Sequence, residues 1–302
     1  MFKREAGSVK YKKNRIWEID FLRAIPIIIV VLYHSCFDVF FLASMIKNQS
    51  QFFSLNPNVY QFVKFTQDLF FNPFIIKYLV PFFGGLFLFI CGVSSSLTRS
   101  NLRRAILLNL GALVFSLATY VFSIITKDDC LIFFGILHQM GFAILMYALL
   151  ELIFRLFKKK VPNSLIFTIG FVILLIGIVF SSGIQVGNVY VKWGTSIVSG
   201  DFSKEMAKDP LGYLKAILGM KASYNDWWPI FPYTGVVFIG IFTGKIIYGK
   251  KKRTLLPCLK DCKVLKPFCF LGRHTIYVYI LHQPIIIGII FTIYSLLGGK
   301  IL

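Results

Sequence analysis

The chain contains 302 residues, of which 57% are hydrophobic and only 15% are charged, and its mean hydropathy is +0.73. A soluble domain ordinarily has about 25% charged and about 45–50% apolar residues, and one core could not hide this much apolar surface. The composition therefore excludes a soluble globular domain, a disordered chain and a disulfide-rich secreted scaffold. It predicts an all-α, polytopic transmembrane helix bundle.

Seven apolar segments are long enough to cross a bilayer as helices, which takes about 17–25 residues each. In chain order they are Ile19–Phe41, Phe74–Leu97, Arg104–Ile125, Leu131–Phe154, Leu165–Ser182, Pro229–Tyr248 and Thr275–Leu297. We find no convincing internal repeat and no soluble domain large enough to stand alone. We therefore expect a single transmembrane domain over residues 1–302, with about seven or more spans.

The net charge of +20 follows the predicted membrane topology. If the amino terminus lies inside, 23 of the 33 Lys and Arg residues fall on the cytoplasmic side, and six of these belong to a basic tail over residues 1–17. This distribution is the positive-inside pattern. It predicts a cytoplasmic amino terminus, a multi-pass protein of the plasma (inner) membrane and contact with membrane lipids. It gives no reason to expect a nucleic-acid partner.

Two longer connections are expected on the outer side. Residues 44–73 mix Phe with polar residues, as is typical of an element that lies in the membrane interface. Residues 183–228 form a predicted extracytoplasmic loop that ends in the adjacent Trp227 and Trp228. Paired tryptophans usually mark the membrane interface, but they also stack on sugar rings, and both interpretations stay open.

The cysteines give no indication of a metal site. Cys258, Cys262 and Cys269 are spaced too loosely for a typical zinc site, and no His lies among them. We expect these thiols to be structural or incidental, and we expect no metal.

The first span carries a polar stripe along an otherwise apolar helix. A helix turns about 100° per residue, so Arg23 and His34 share a face to within about 20° and lie about 16 Å apart. Asp20 and Asp38 lie about 40° from His34, both on the same side. The stripe suggests one wall of a site for a long anionic acyl donor, with His34 as general base and Asp38 as its partner. Alternatively, the charged members reach headgroups or outer water while His34 bonds a neighbouring helix.

Other polar residues are candidates for the same site. His138 lies in the fourth predicted span and His282 in the last, and each is either catalytic or bonded to a neighbouring helix. Three arginines follow a serine run at the inner end of the second span. They could clamp the phosphates of a donor, or they could simply reflect the positive-inside pattern. These are Arg99, Arg103 and Arg104.

The opening of the first span resembles that of the transmembrane acyltransferases. The run Ile19-Asp-Phe-Leu-Arg-Ala is followed by His34 with ten residues between Arg23 and the histidine, as in the acyltransferase-3 branch. Further segments, in matching order and spacing, are similar to the heparan-alpha-glucosaminide N-acetyltransferase (catalytic domain) branch. These segments are 80–99, 134–141, 232–245 and 271–284.

The resemblance implies transfer of an acetyl group from cytoplasmic acetyl-CoA to an amino sugar or other glycan on the far side of the membrane. It also allows a homodimer, and it marks His34 as the essential polar position of the first span. Longer members of this branch carry Asn at that position and a separate His beyond the first span, whereas residues 39–73 contain no His. The resemblance leaves open whether an amine or a hydroxyl is acetylated, and whether transfer is direct or passes through an acyl-histidine.

We therefore expect a membrane acetyltransferase that uses acetyl-CoA as co-substrate. The expected catalytic residues are His34, Asp38, His138 and His282, and the expected donor-binding residues are Asp20, Arg23, Arg99, Arg103 and Arg104. The alternative function is a proton-coupled transporter or channel that uses the intramembrane histidines. Composition and spans do not separate the two, and the order of the motifs favours the enzyme.

Overall fold

The computed structural model describes residues 16–127, 130–181, 185–186, 189–190, 211–219, 226–249, 254–259 and 262–301. The described α-helices are, in chain order, α1 Trp17–Ser44, α2 Gln49–Leu55, α3 Pro57–Phe70, α4 Val80–Ser96, α5 Asn101–Thr126, α6 Ile136–Leu156, α7 Asn163–Ser181, α8 Gly212–Leu218, α9 Ile230–Tyr248, α10 Leu265–Arg273 and α11 Thr275–Leu296. A π-helical turn, Ile75–Leu79, runs into α4, and a 3-10 turn, Pro257–Leu259, precedes α10. Two-residue strands Gln185–Val186 and Val189–Tyr190 pair antiparallel. Most of the predicted tail and of the 183–228 loop lies outside the described residues.

Six of the described helices are long and apolar enough to cross a membrane. They are α1, the continuous helix Ile75–Ser96, α5, α6, α9 and α11. The remaining predicted span corresponds to α7, whose apolar stretch Asn163–Val179 is shorter than those of the other six. The predicted helical, multi-pass architecture is thereby confirmed, whereas a seventh crossing and the cytoplasmic amino terminus stay predictions.

Helices α4 and α9 pack closely because glycines face their neighbours. A Cβ atom on Gly92 of α4 would overlap the carbonyl oxygen of Val237, and one on Gly240 of α9 would overlap that of Phe89. Small residues allow helix backbones to approach one another in a bilayer, where apolar burial alone does not drive association. This contact fixes α4, whose carboxy-terminal half lines the cavity described below.

The amino-terminal end of α1 is held by α10 and by residues 254–256. The Glu18 carboxylate accepts hydrogen bonds from the amides and the threonine hydroxyl of this segment. On α10, Gly272 lies so close to the carbonyl of Asp20 that a Cβ atom would overlap it. Because α10 ends at Arg273, this contact brings that guanidinium beside the start of α1.

Residues 44–73, predicted as an interfacial element, contain the short helices α2 and α3. Phe52 of α2 packs against Tyr294 of α11 with ring centroids 5.9 Å apart, and this contact holds the segment on the bundle. On α3, the side chains of Phe62 and Phe65 are exposed. Exposed aromatic rings beside a buried anchor agree with an interfacial helix. The location on the outer face stays a prediction.

Candidate active site

A cavity of 650 Å³ opens among α1, α4, α5, α6 and α11, at the end of the bundle where α1 and α5 begin. Its mouth is strongly cationic. The arginines that line it are Arg23, Arg103, Arg104 and Arg273. Three of these were predicted to bind the donor, and the structure brings them together from α1 and α5. Arg273 was missed because it was counted only as a positive-inside residue.

The arginines are held in place by neighbouring groups. The guanidinium of Arg104 donates to the Ser95 hydroxyl at 3.0 Å and to the Cys91 sulfur at 3.4 Å. The Nε of Arg273 donates to the Cys269 carbonyl at 3.0 Å. A fork that is already oriented loses less freedom when it binds an anion. The mouth is therefore arranged to bind phosphate or carboxylate oxygens.

Two of the predicted donor-binding residues do not line the cavity. The Asp20 carboxylate lies behind the mouth, 4.0 Å from an Nη of Arg23 and 3.8 Å from the Nε of Arg273. Asp20 thus orients two of the guanidiniums and does not contact the space itself. Arg99 lies outside the lining, although its neighbours Thr98 and Ser100 belong to it. Its expected contact with the donor has no support in this geometry.

The deep part of the cavity is apolar. Its lining includes Phe87, Leu137, Met140 and Ile280. A site with cationic groups at the mouth and apolar walls beyond them suits a ligand with an anionic head and a thinner, less polar arm. Since Ile280 lies on α11 two residues before His282, the cavity extends toward the level of the predicted catalytic histidines.

The histidines of the first and last spans are in direct contact, as a shared site requires. Nδ1 of His34 on α1 lies 3.0 Å from Nε2 of His282 on α11, and the two rings stack with centroids 5.2 Å apart. His282 is buried and His34 is half-buried. Neither ring lines the cavity. We refer to these two residues as the histidine pair.

The hydrogen bonds of the pair determine which nitrogens carry protons. Nδ1 of His282 lies 2.7 Å from the carbonyl oxygen of Tyr279, which only accepts, so this nitrogen is the donor. In the neutral ring Nε2 of His282 is then an acceptor, and Nδ1 of His34 donates to it. The neutral His34 consequently carries its free lone pair on Nε2. The contacts fix His34 as the more available base of the pair.

Asp226 joins the histidine pair to the end of the 183–228 connection, and no role was predicted for it. Its carboxylate accepts hydrogen bonds from the Tyr279 hydroxyl at 2.5 Å, the Trp228 indole at 2.7 Å and the Ile136 amide at 3.2 Å. Burial raises the pKa of the Asp226 carboxyl, and these three donors oppose the shift. An acidic residue beside a tryptophan pair at the start of a span was the available signal.

His138 is bound in a separate network. Its Nδ1 accepts from the Gly135 amide at 3.2 Å, and its Nε2 lies 3.0 Å from the Ser116 hydroxyl. That hydroxyl donates to the Ile132 carbonyl at 2.6 Å, so Nε2 of His138 is the donor to it. Both ring nitrogens are thus used in fixing the start of α6 against α5. These contacts do not join His138 to the histidine pair, and its predicted catalytic role gains no support.

Asp38 does not orient His34 in the way the i+4 spacing predicted. The position at Nδ1 of His34 is taken by His282. Asp38 is buried beside Gln283, and its oxygens have no partner of good hydrogen-bonding geometry among the described residues. The pairing between helices replaces the expected pairing within α1.

No group of three or more His, Cys, Asp or Glu side chains within the described ranges is arranged to hold a metal ion. Cys269 is buried against the backbone of Trp17, with its sulfur 3.7 Å from that carbonyl oxygen. The described contacts of this thiol are therefore structural.

The fold and the site together define a class: a multi-pass helical membrane protein with a cationic cavity and a histidine pair that joins its first and last described spans. The sequence matches the family model described as heparan-alpha-glucosaminide N-acetyltransferase, catalytic, over residues 15–284. The chain belongs to this family, as its motifs predicted. No curated protein and no solved structure matches it.

Membership of the family makes the chain a membrane acetyltransferase of the type that acts on amino sugars, and acetyltransferases of this family use acetyl-CoA as co-substrate. The matched range contains the cavity, the histidine pair and Asp226. The relationship to the acyltransferase-3 branch and the roles of individual residues are not part of that finding.

Proposed function

We propose that this protein transfers an acetyl group from cytoplasmic acetyl-CoA to the amine of an amino sugar on the outer side of the membrane. The observations that carry the proposal are a cavity with four arginines at its mouth and a histidine pair whose His34 lies about 16 Å further along the same helix as Arg23 of that mouth. The arginines would bind the diphosphate and 3′-phosphate of the donor through forked hydrogen bonds. The apolar walls would then direct the thioester arm toward His34.

The protonation of the histidine pair supports His34 as general base. As the acceptor nitrogen attacks the thioester carbonyl, Nε2 of His34 takes the proton that the nitrogen loses. A C–N bond forms, the C–S bond breaks, and the electron pair of that bond leaves on the coenzyme A sulfur. His34 then returns its proton to the sulfur. The bond from Nδ1 of His34 to His282 keeps the basic nitrogen turned away from α11 throughout.

The membrane arrangement belongs to the same proposal. We infer a cytoplasmic amino terminus in the plasma membrane, with α7 as a seventh span and residues 183–228 helping to cover the acceptor on the outer side. The positive-inside distribution of charge supports this orientation. The spacing of Arg23 and His34 also supports kinship with the acyltransferase-3 branch, and a homodimer is consistent with the family resemblance.

The test is turnover by the purified protein in lipid nanodiscs, with acetyl-CoA as donor and glucosamine as acceptor. We expect release of free coenzyme A thiol that depends on the acceptor, and a product with the mass of the N-acetylated sugar. His34→Asn should abolish release. The matched variant His274→Asn should still release coenzyme A, since the His274 ring bonds the Phe270 carbonyl at 2.8 Å and does not contact the histidine pair.

The same preparation separates the transporter alternative. In sealed liposomes, a transporter would move labelled acceptor or donor across the membrane with the thioester intact. Acceptor-dependent loss of thioester without net movement of coenzyme A supports the enzyme. Absence of thioester loss with every amino sugar and hydroxyl acceptor tried would contradict it.

A further inference from the structure

Asp226 has an unusual position for a residue outside the spans. It has a φ of 48°, in the left-handed region that Asp and Asn adopt more readily than most side chains. Asp226 directly precedes Trp227, and α9 begins shortly after, at Ile230. Its carboxylate accepts hydrogen bonds from the Ile136 amide of α6 and the Tyr279 hydroxyl of α11. The residue therefore ties the end of the predicted acceptor-side loop to two helices of the bundle.

The contacts of Asp226 lead to the histidine pair through one residue. Tyr279 donates its hydroxyl to the Asp226 carboxylate, and its backbone carbonyl accepts from Nδ1 of His282. His282 in turn accepts from His34. The Tyr279 and His282 rings have centroids 5.9 Å apart, and the Asp226 charge acts on His282 electrostatically. The Asp226 carboxylate thus lies within electrostatic range of His282, the ring of the pair that accepts from His34.

The three hydrogen bonds to Asp226 indicate its charge state. All three partners are donors, from an indole, a phenol and an amide, and a carboxylate can accept from each. Burial favours the protonated form, and the Tyr279 hydroxyl can accept a proton as well as donate one, but the Trp228 indole and the Ile136 amide only donate. Hydrogen bonds of this kind favour the charged form.

We propose that Asp226 is a positioning residue for the acetyl transfer, holding Tyr279 in place and supplying the counter-charge for the histidine pair when His34 accepts a proton. The proposal rests on the proposed function. When Nε2 of His34 is protonated, the pair carries one positive charge that spreads over the bond between the rings. A carboxylate that is already in place lowers the cost of this charge without rearrangement. The acceptor-side loop would thereby be coupled to the base.

The first test is Asp226→Asn in the full-length protein in nanodiscs. Asn tolerates the same backbone conformation and has nearly the same shape, so the substitution removes mainly the charge. We expect kcat to fall about tenfold or more, since general-base catalysis contributes about 10²–10⁴-fold. The donor dissociation constant should stay within about twofold, because the arginine mouth is untouched. Asp68→Asn, on the exposed face of α3, is the matched control and should change neither quantity.

A purely structural role gives a different result. A looser fold would weaken donor binding and lower the melting temperature together with kcat, and this outcome would overturn the proposal. An Asp226→Asn variant whose kcat and donor dissociation constant are as unchanged as those of Asp68→Asn would also overturn it. Both outcomes are distinct from failure of the proposed function, in which the wild-type protein itself would show no acetyl transfer.

Tyr279→Phe gives a second, independent test that leaves the carboxylate in place. It removes the hydroxyl between Asp226 and the pair, and we expect a smaller fall in kcat with donor binding kept. If Asp226 and Tyr279 act through the same series of hydrogen bonds, kcat of the double variant should be little lower than that of Asp226→Asn alone. Fully additive losses would show that they act separately and would overturn the proposal. If Asp226→Asn does not fold, an unchanged kcat in Tyr279→Phe would overturn it equally.

Discussion

Arg104 provides the sharpest test of the cavity as the donor site. Its guanidinium is half-buried and held by Ser95 and Cys91, so it is oriented before any ligand arrives. A hydrogen bond to a charged group contributes about 1.5–3 kcal/mol. Because the mouth of the cavity is partly open to solvent, we take the lower end of this range. Loss of about 1.4 kcal/mol corresponds to tenfold weaker binding.

The experiment is Arg104→Gln, with acetyl-CoA binding to nanodiscs measured by isothermal titration calorimetry. We expect the dissociation constant to rise about tenfold, and the effect to shrink as salt screens the remaining arginines. Arg99→Gln is the matched control, since Arg99 is five residues away but outside the lining. Equal losses in both variants would mean that binding responds only to the total positive charge of this face. The assignment of the cavity would then be wrong.

Three further variants test the site and the fold. In His34→Ala, turnover should be lost while acetyl-CoA affinity is kept, because His34 is proposed as a base and not as a binding group. Calorimetry measures the affinity and thiol release measures the turnover of the same preparation. Replacing the lysines at residues 158–160 by Gln should leave the donor dissociation constant unchanged, because these lysines line a different cavity near Lys245. A large loss of donor affinity in this variant would place the donor site in that second cavity. Gly272→Ala should lower the melting temperature, since overpacking typically costs about 1–3 kcal/mol, whereas Gly288→Ala, with open space at its Cβ, should not.

The membrane architecture was largely predictable from composition and apolar length. Helices occur at all seven predicted spans, and the cationic pattern that predicted the topology includes all four cavity arginines, three of which were also predicted to bind the donor. These features depend on residue type and on spacing within one helix. A single sequence contains both kinds of information.

The pairing between helices was not predictable in the same way. Nothing in the spacing of α1 shows that Nδ1 of His34 meets His282 of α11, 248 positions along the chain. The i+4 neighbour Asp38 was therefore chosen as the partner of His34. Asp226 was missed for a related reason, because two of its three donors, Ile136 and Tyr279, lie on helices distant in sequence. Contacts between elements follow from packing, which periodicity alone does not encode.

The histidine pair also explains the departure from the longer members of the family, which carry Asn at the position of His34 and a separate His elsewhere. At this position two functions are available: donating a hydrogen bond to Nε2 of His282, and offering a basic nitrogen. An Asn amide can donate but has no basic nitrogen, so a chain with Asn needs a base from elsewhere. His34 combines both functions, because Nδ1 donates to His282 and Nε2 stays free. His34→Asn should consequently stay better folded than His34→Ala while being equally inactive, and equal melting temperatures would show that the bond to His282 contributes nothing to the fold.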